Sequence, residues 1–181
     1  MLNDAKTLFY KRSAKNRLES VPLGNGSLGA MIYGRTSNEI IAMNSDTLWS
    51  GFPRKTEVKE GATEAFLKAR DLVMQGDYFT SKKLLEENVL ANCSQAYMPL
   101  CNIHIQYAKT GIQKNYRRYL DLETGVNTVT YTRGSNNFKR ESFVSFNEDA
   151  YYDTITCENG KAISFTVSMN TKLKGNSFVE C

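Results

Sequence analysis

Residues 21–51 read VPLGNGSLGAMIYGRTSNEIIAMNSDTLWSG, and this stretch decides how the chain is understood. Gly24, Gly26 and Gly29 fall close together beside Pro22. Residues 22–26 therefore read as a tight turn with a specified backbone path. Residues 28–33 and 40–43 are two apolar runs, and residues 28–33 and 39–43 are expected as short strands. The polar connection between them has the length of a hairpin loop. The second strand delivers the chain into NSDTLWSG, residues 44–51, which holds the only Trp of the sequence. A polar loop placed by a rigid hairpin is a common way to hold recognition groups.

Downstream, Ala62, Phe66, Ala69 and Val73 recur at helical spacing. Gly76 is the expected stop, and Asp77 the cap of a second helix carrying Tyr78, Leu85 and Val89 on one stripe. Phe66 and Tyr78 read as packing residues. From residue 103 the pattern turns to strands: 103–107, 116–121, 126–133, 138–146, 151–157 and 161–169. His104 lies on the face opposite Ile103 and Ile105 and reads as a surface polar group. The last two strands flank Asn159-Gly160, a preferred type I′ pair, and are expected to form a hairpin. Ile163, Phe165, Val167 and Met169 would give its core face. The expected fold is mainly β: an antiparallel β-sandwich with a small helical insertion.

Composition narrows the function. A chain of 181 residues supports one sizeable core, so residues 1–181 are expected to form a single domain. The formal net charge of +4 comes from Lys and Arg spread along the chain, which speaks for a solvated surface and against nucleic acid. No apolar run reaches the roughly 20 residues of a membrane helix. The start, MLNDAK, has no apolar core of a secretory signal. The cysteines, Cys93, Cys101, Cys157 and Cys181, form no CxxC pair, and with the single His104 they do not make up a zinc set. No metal or other cofactor is expected. Unpaired cysteines fit a reducing, cytoplasmic compartment. Residues 24–26 lack the lysine and helix of a phosphate loop.

The order PLGNG-x-LGAM-x-x-G then N-x-DTLWSG resembles the N-terminal domain of glycoside hydrolase family 95. YxPL at residues 97–100, YRRxLDLxT at residues 116–124, VxY at 129–131 and FxVS at 165–168 continue it. Arg17, Ser45 and Cys101-Asn102 depart from the family pattern. The resemblance implies inverting α-L-fucosidases, with some α-L-galactosidases, and a supersandwich-like N-terminal fold. It also implies that the catalytic groups belong to an (α/α)6 barrel, which this sequence does not include. The isolated chain is then expected to be inactive, with no catalytic residue assigned. Its partners would be that barrel and a fucosylated or galactosylated glycan. An apolar face made for the barrel would favour self-association of the fragment. The alternatives are a stand-alone carbohydrate-binding module and a purely structural fragment.

Inverting hydrolysis needs an acid and a base about 6.5–9.5 Å apart. Asp46 alone sits among amide, hydroxyl and indole groups. Asn44, Asp46, Thr47 and Trp49 are therefore the candidate substrate-binding residues. Two readings stand for each. Asn44 and Asp46 can serve the loop's own amides, and Trp49 can be a core or domain-interface residue instead of a sugar platform. Tyr116, Arg117 and Arg118 could bind an anion or a neighbouring domain, but with Asp121 close in sequence an ion pair of the arginines with Asp121 is the expected arrangement.

Overall fold

The computed structural model describes residues 4–51, 58–90, 95–108, 111–158 and 162–173. Two compact units are distinguished, one of Met1–Leu48 with Met98–Cys181, the other Trp49–Tyr97.

The larger unit is an antiparallel β-sandwich. Its first sheet runs β1 (Thr7–Tyr10), β6 (Gln113–Asp121), β7 (Asn127–Arg133), β8 (Asn136–Val144), β9 (Tyr151–Cys157). Its second runs β10 (Phe165–Asn170), β5 (Cys101–Tyr107), β4 (Asn38–Ser45), β3 (Leu28–Ile32), β2 (Val21–Gly24). Alternation explains the layers. Ile41 and Met43 on β4, Ala30 and Ile32 on β3, and Val21 and Leu23 on β2 point one way, and Leu120 of β6 meets them in the core. The expected 28–33/39–43 hairpin forms, with Leu28 opposite Ser45 and Ile32 opposite Ile41.

Two strand expectations need correction. Pro22 is in strand β2, opposite Met31, and the turn is displaced toward Asn25. Proline is tolerated there because β2 is the edge of its sheet. The hairpin expected at the end of the chain does not form, although both of its strands exist. β9 pairs with β8, from Phe138↔Cys157 to Val144↔Tyr151, whereas β10 crosses to the other sheet and pairs with β5, from Phe165↔Tyr107 to Asn170↔Asn102. The open edge of β5 outweighs the local turn preference. Asn159-Gly160 lies outside the described residues. As an edge strand, β10 also leaves its expected core face half open: Phe165, Val167 and Met169 are 49%, 55% and 41% exposed.

The smaller unit holds α1 (Ala62–Met74) and α2 (Tyr78–Asn88), within the stretch the sequence marks as helical. They meet through small residues: Ser81, buried, donates its hydroxyl to the Ala69 carbonyl at 2.9 Å. Gly76, at φ +84°, turns the chain between them, with its N–H on the Val73 carbonyl. Phe66 and Tyr78, expected as packing residues, are instead exposed, and the buried positions of the pair are Ala62, Ala69 and Ser81. Helix stripes this short bury where small residues let the backbones approach.

Asp77 caps α2 as expected, accepting the Thr80 N–H at 3.1 Å. That hydrogen bonding with Thr80 holds the carboxyl below its ordinary value of 3.8. A depressed folded-state pKa contributes stability that is present above the ordinary value and lost as pH falls through the folded one. Asp77→Ala is expected to speed amide exchange across α2 at neutral pH, with the difference from the parent closing as the pH falls below the ordinary carboxyl value and Asp77 takes up its proton. Equal exchange at neutral pH would show the cap to be idle.

Candidate functional site

The end of β4 places the candidate loop. Asn44 sits opposite Gly29 in the sheet and is half-buried. Beyond the strand, the Asp46 N–H donates to the Ser27 carbonyl at 2.9 Å. The Ser27 hydroxyl lies 3.2 Å from Asp46 Oδ1 and 3.3 Å from Asp149 Oδ2. Asn25 fixes this corner. Its carbonyl oxygen accepts the N–H groups of Ser27 and Leu28 at 2.9 and 2.8 Å. Its amide donates to the Ser145 carbonyl at 2.9 Å and to Asp149 Oδ1 at 3.2 Å. The β2–β3 turn, the exit of β4 and the β8–β9 connection are thereby tied together.

Asp46 and Thr47 are exposed at this corner. Thr47 shares a hydrogen bond with the Ser45 hydroxyl at 3.1 Å, and the Leu48 N–H closes a turn on the Ser45 carbonyl. The corner presents two carboxylates as acceptors, with hydroxyls that can donate or accept. That is a set suited to binding the hydroxyls of a polar ligand. Trp49 belongs to the smaller unit. It bridges to Tyr97, with ring centroids 5.2 Å apart and planes at 65°, and it remains 49% exposed. The structure therefore places Asp46 and Thr47 together at this corner, leaves Asn44 before them within β4, and assigns Trp49 to the smaller unit. Sequence reasoning missed Asp149, because a contact more than a hundred residues apart leaves no local spacing signal.

Two buried polar clusters hold the hairpin that carries the loop. In the first, Glu39 of β4 points into the core and is fully buried. Its Oε1 accepts the N–H groups of Tyr33, Gly34 and Ile40 at 3.0–3.1 Å. Its Oε2 accepts Arg140 Nη1 of β8 at 2.6 Å. Arg140 also grips Asp153 of β9 through Nε and Nη2, and the Tyr151 hydroxyl donates to Asp153 Oδ2 at 2.8 Å. Burial pushes the Glu39 carboxyl up, against the pull of Arg140 and of the Gly34 and Ile40 amides. Burial alone would lower the Arg140 guanidinium, but Glu39 and Asp153 more than reverse it, and it stays charged. Burial also keeps the Tyr151 hydroxyl protonated, as a donor to Asp153 requires.

In the second cluster, Arg118 of β6 is buried and donates to the carbonyls of Glu19 and Tyr33, each at 2.9 Å. Its guanidinium lies 4.5 Å from the centre of the Tyr10 ring. The pairing expected with Asp121 does not occur: Asp121 instead accepts the Glu123 N–H at 2.9 Å, closing a turn. Residues 118 and 121 are an odd number of positions apart on one strand, so their side chains face opposite sides. Residue 117 shares the face of residue 121, but the four steps along the strand between them span about 13 Å.

Residues 8–181 match the family model described as Glycosyl hydrolase family 65, N-terminal domain. The chain is 32% identical over 175 residues to "Alpha-L-fucosidase 2" of Arabidopsis thaliana, covering 94% of this chain and 20% of that protein. It is 32% identical over 131 residues to "Probable alpha-fucosidase A" of Aspergillus niger, covering 69% and 16%. To the protein of the same name from Aspergillus oryzae it is 30% identical over 155 residues, covering 80% and 21%. The chain thus spans about a fifth of the length of the curated relatives it matches.

Proposed function

We propose a role for this chain from its kinship: it belongs to the family of glycosyl hydrolase family 65 N-terminal domains, within an α-fucosidase-like group of glycoside hydrolases. In that role it packs on the catalytic barrel of a longer enzyme and carries no acid or base of the reaction itself. The substrate is an α-L-fucoside or α-L-galactoside of a glycan. The loop at residues 44–51 reaches the rim of the sugar pocket. The observation that supports this most is the fixed corner of Ser27, Asp46 and Thr47, with hydroxyl and carboxylate groups at the surface and their backbone tied to the sheet. The half-open apolar strip Phe165, Val167 and Met169 on β10 is the kind of surface a neighbouring domain covers.

Asp46→Ala and Thr47→Ala, each made in the longer enzyme, are expected to raise KM for an aryl α-L-fucoside by about five- to thirtyfold, with Tm nearly unchanged. The range corresponds to one or two hydrogen bonds to a sugar hydroxyl. The corner has a competing reading, because the carboxylate of Asp46 already meets Ser27 within the fold. Variants that lose thermal stability while the surviving enzyme keeps its KM would assign the loop to structure.

A further inference from the structure

The second sheet has an outer face as well as the one that enters the core. Ile41 and Met43 of β4 are buried, so Ala42 and Asn44 between and beyond them point outward. The register extends that face: Ala42 lies opposite Asn102 of β5, and Asn102 lies opposite Asn170 of β10. Three carboxamides, Asn44, Asn102 and Asn170, thus meet on adjacent strands around the small side chain of Ala42. They line a cavity of about 240 Å³, with Tyr33 among its other walls. Its rim is fixed: the Leu100 N–H donates to the Met43 carbonyl at 3.1 Å, and the Thr171 hydroxyl donates to the Leu100 carbonyl at 2.7 Å.

We propose that this cavity, on the outer face of the second sheet, binds one neutral pyranoside, with Asn44, Asn102 and Asn170 reading its hydroxyls. The proposal deepens the carbohydrate reading above and rests on it for the ligand class. None of the three side-chain amides makes a hydrogen bond to another described residue among the contacts of the fold, so their donors and acceptors face the cavity unspent. A carboxamide offers both donors and acceptors, and so does each sugar hydroxyl. No carboxylate lines the cavity among the described residues, which removes the usual ligands of a hard cation. Arg17 and Lys172 line it but are exposed and solvated, a poor setting for gripping an anion. Tyr33 is half-buried in the wall, with the Arg35 guanidinium 4.8 Å from its ring centre, so its ring is held in place. An aromatic wall beside amides suits a pyranose, which has a C–H face and a rim of hydroxyls. The volume is below the roughly 300–1,000 Å³ of drug-sized clefts, and fits a single ring better than an oligosaccharide.

The test is a two-dimensional amide NMR titration of the labelled chain with methyl α-L-fucopyranoside, methyl β-D-galactopyranoside and methyl β-D-glucuronide. The expected result is saturable shifts of the Asn44, Asn102 and Asn170 side-chain amides with at least one neutral glycoside, at a Kd in the millimolar range, about that of a few net hydrogen bonds. Asn102→Ala is expected to weaken that binding by about tenfold. Asn102→Asp keeps the side chain's shape while removing its two donors. It is expected to weaken binding similarly, and it serves if the alanine variant fails to fold. Absence of saturable shifts, binding unaffected by Asn102→Asp, or binding of the glucuronide alone would each overturn the proposal. The outcome is separable from that of the loop. If Asp46→Ala raises KM in the longer enzyme while this cavity takes no sugar, only the cavity assignment falls. If the cavity binds and Asp46→Ala leaves KM alone, only the loop assignment falls.

Discussion

Arg140→Met is expected to cost about 3–5 kcal/mol of unfolding free energy at neutral pH, the range for removing one partner of a buried ion pair. For a chain of this size that is a fall in Tm of about 6–20 °C. Methionine fills much of the volume, so the loss is electrostatic. Arg140 is 2% exposed and is the cation between Glu39 of one sheet and Asp153 of the other. Without it, two carboxylates stay in the core with no countercharge. The loss carries a pH signature. Burial already raises the Glu39 carboxyl above its ordinary value of 4.5, and taking away Arg140 raises it further. A carboxyl whose folded-state pKa is raised contributes stability that is fully present below the ordinary value and lost as pH rises through the folded one. The gap between parent and variant is therefore expected to narrow on going from about pH 8 to about pH 5, as Glu39 takes up a proton. Adding Glu39→Gln to Arg140→Met should recover part of the loss at neutral pH. Urea unfolding followed by circular dichroism measures all three. A single-variant loss below about 1 kcal/mol, the same at both pH values, would mean that water reaches the cluster and screens it.

The same cluster shows where sequence reading stops. The β3–β4 hairpin was legible because its apolar runs are local and bounded by a hairpin-length polar loop. The two helices were legible from their period and from Gly76 and Asp77 between them. Glu39 is the polar first residue of the strand expected over 39–43, in phase with Ile41 and Met43, and that phase is the local sign that it points inward. Nothing local marks its partner on β8. β10 fails for a related reason. Its alternation is clear and Asn159-Gly160 favours a turn, but the edge it joins belongs to β5, some sixty residues away in the chain. Strand pairing is decided by which edges are open in the assembled sheets, and a sequence window contains no record of that. The site divides along the same line. Asn44, Asp46 and Thr47 are candidates that a sequence window can group, because they follow one another along the chain. Asp149, and the row of Ala42, Asn102 and Asn170, exist only through register.

Gly34→Ala is expected to destabilise the sandwich by about 2–5 kcal/mol, from two separate costs. Gly34 is at φ +70°, and a left-handed conformation costs an L-residue about 1–2 kcal/mol. A Cβ there would lie 2.5 Å from Arg118 Cδ and 2.8 Å from the Tyr116 hydroxyl oxygen, and overpacking of that kind costs about 1–3 kcal/mol more. Neither neighbour can step aside cheaply. Arg118 is held by the carbonyls of Glu19 and Tyr33, and Tyr116 donates its hydroxyl to the Gly34 carbonyl at 2.6 Å. Gly34 also gives its N–H to Glu39, so one methyl group disturbs both buried clusters. Gly34→Asn separates the two costs. Asparagine tolerates the left-handed region better than alanine but carries the same Cβ. If crowding dominates, as the distance to Arg118 implies, Gly34→Asn should be no more stable than Gly34→Ala. Thermal unfolding of the two variants decides the matter. Recovery of most of the loss by asparagine would place the constraint in the backbone alone, and Arg118 would then have room to move. The turn at Gly34 leads into the strand that carries Asn44 and delivers Asp46 just beyond its end, so a shift of the hairpin here displaces a side chain of each candidate sugar contact.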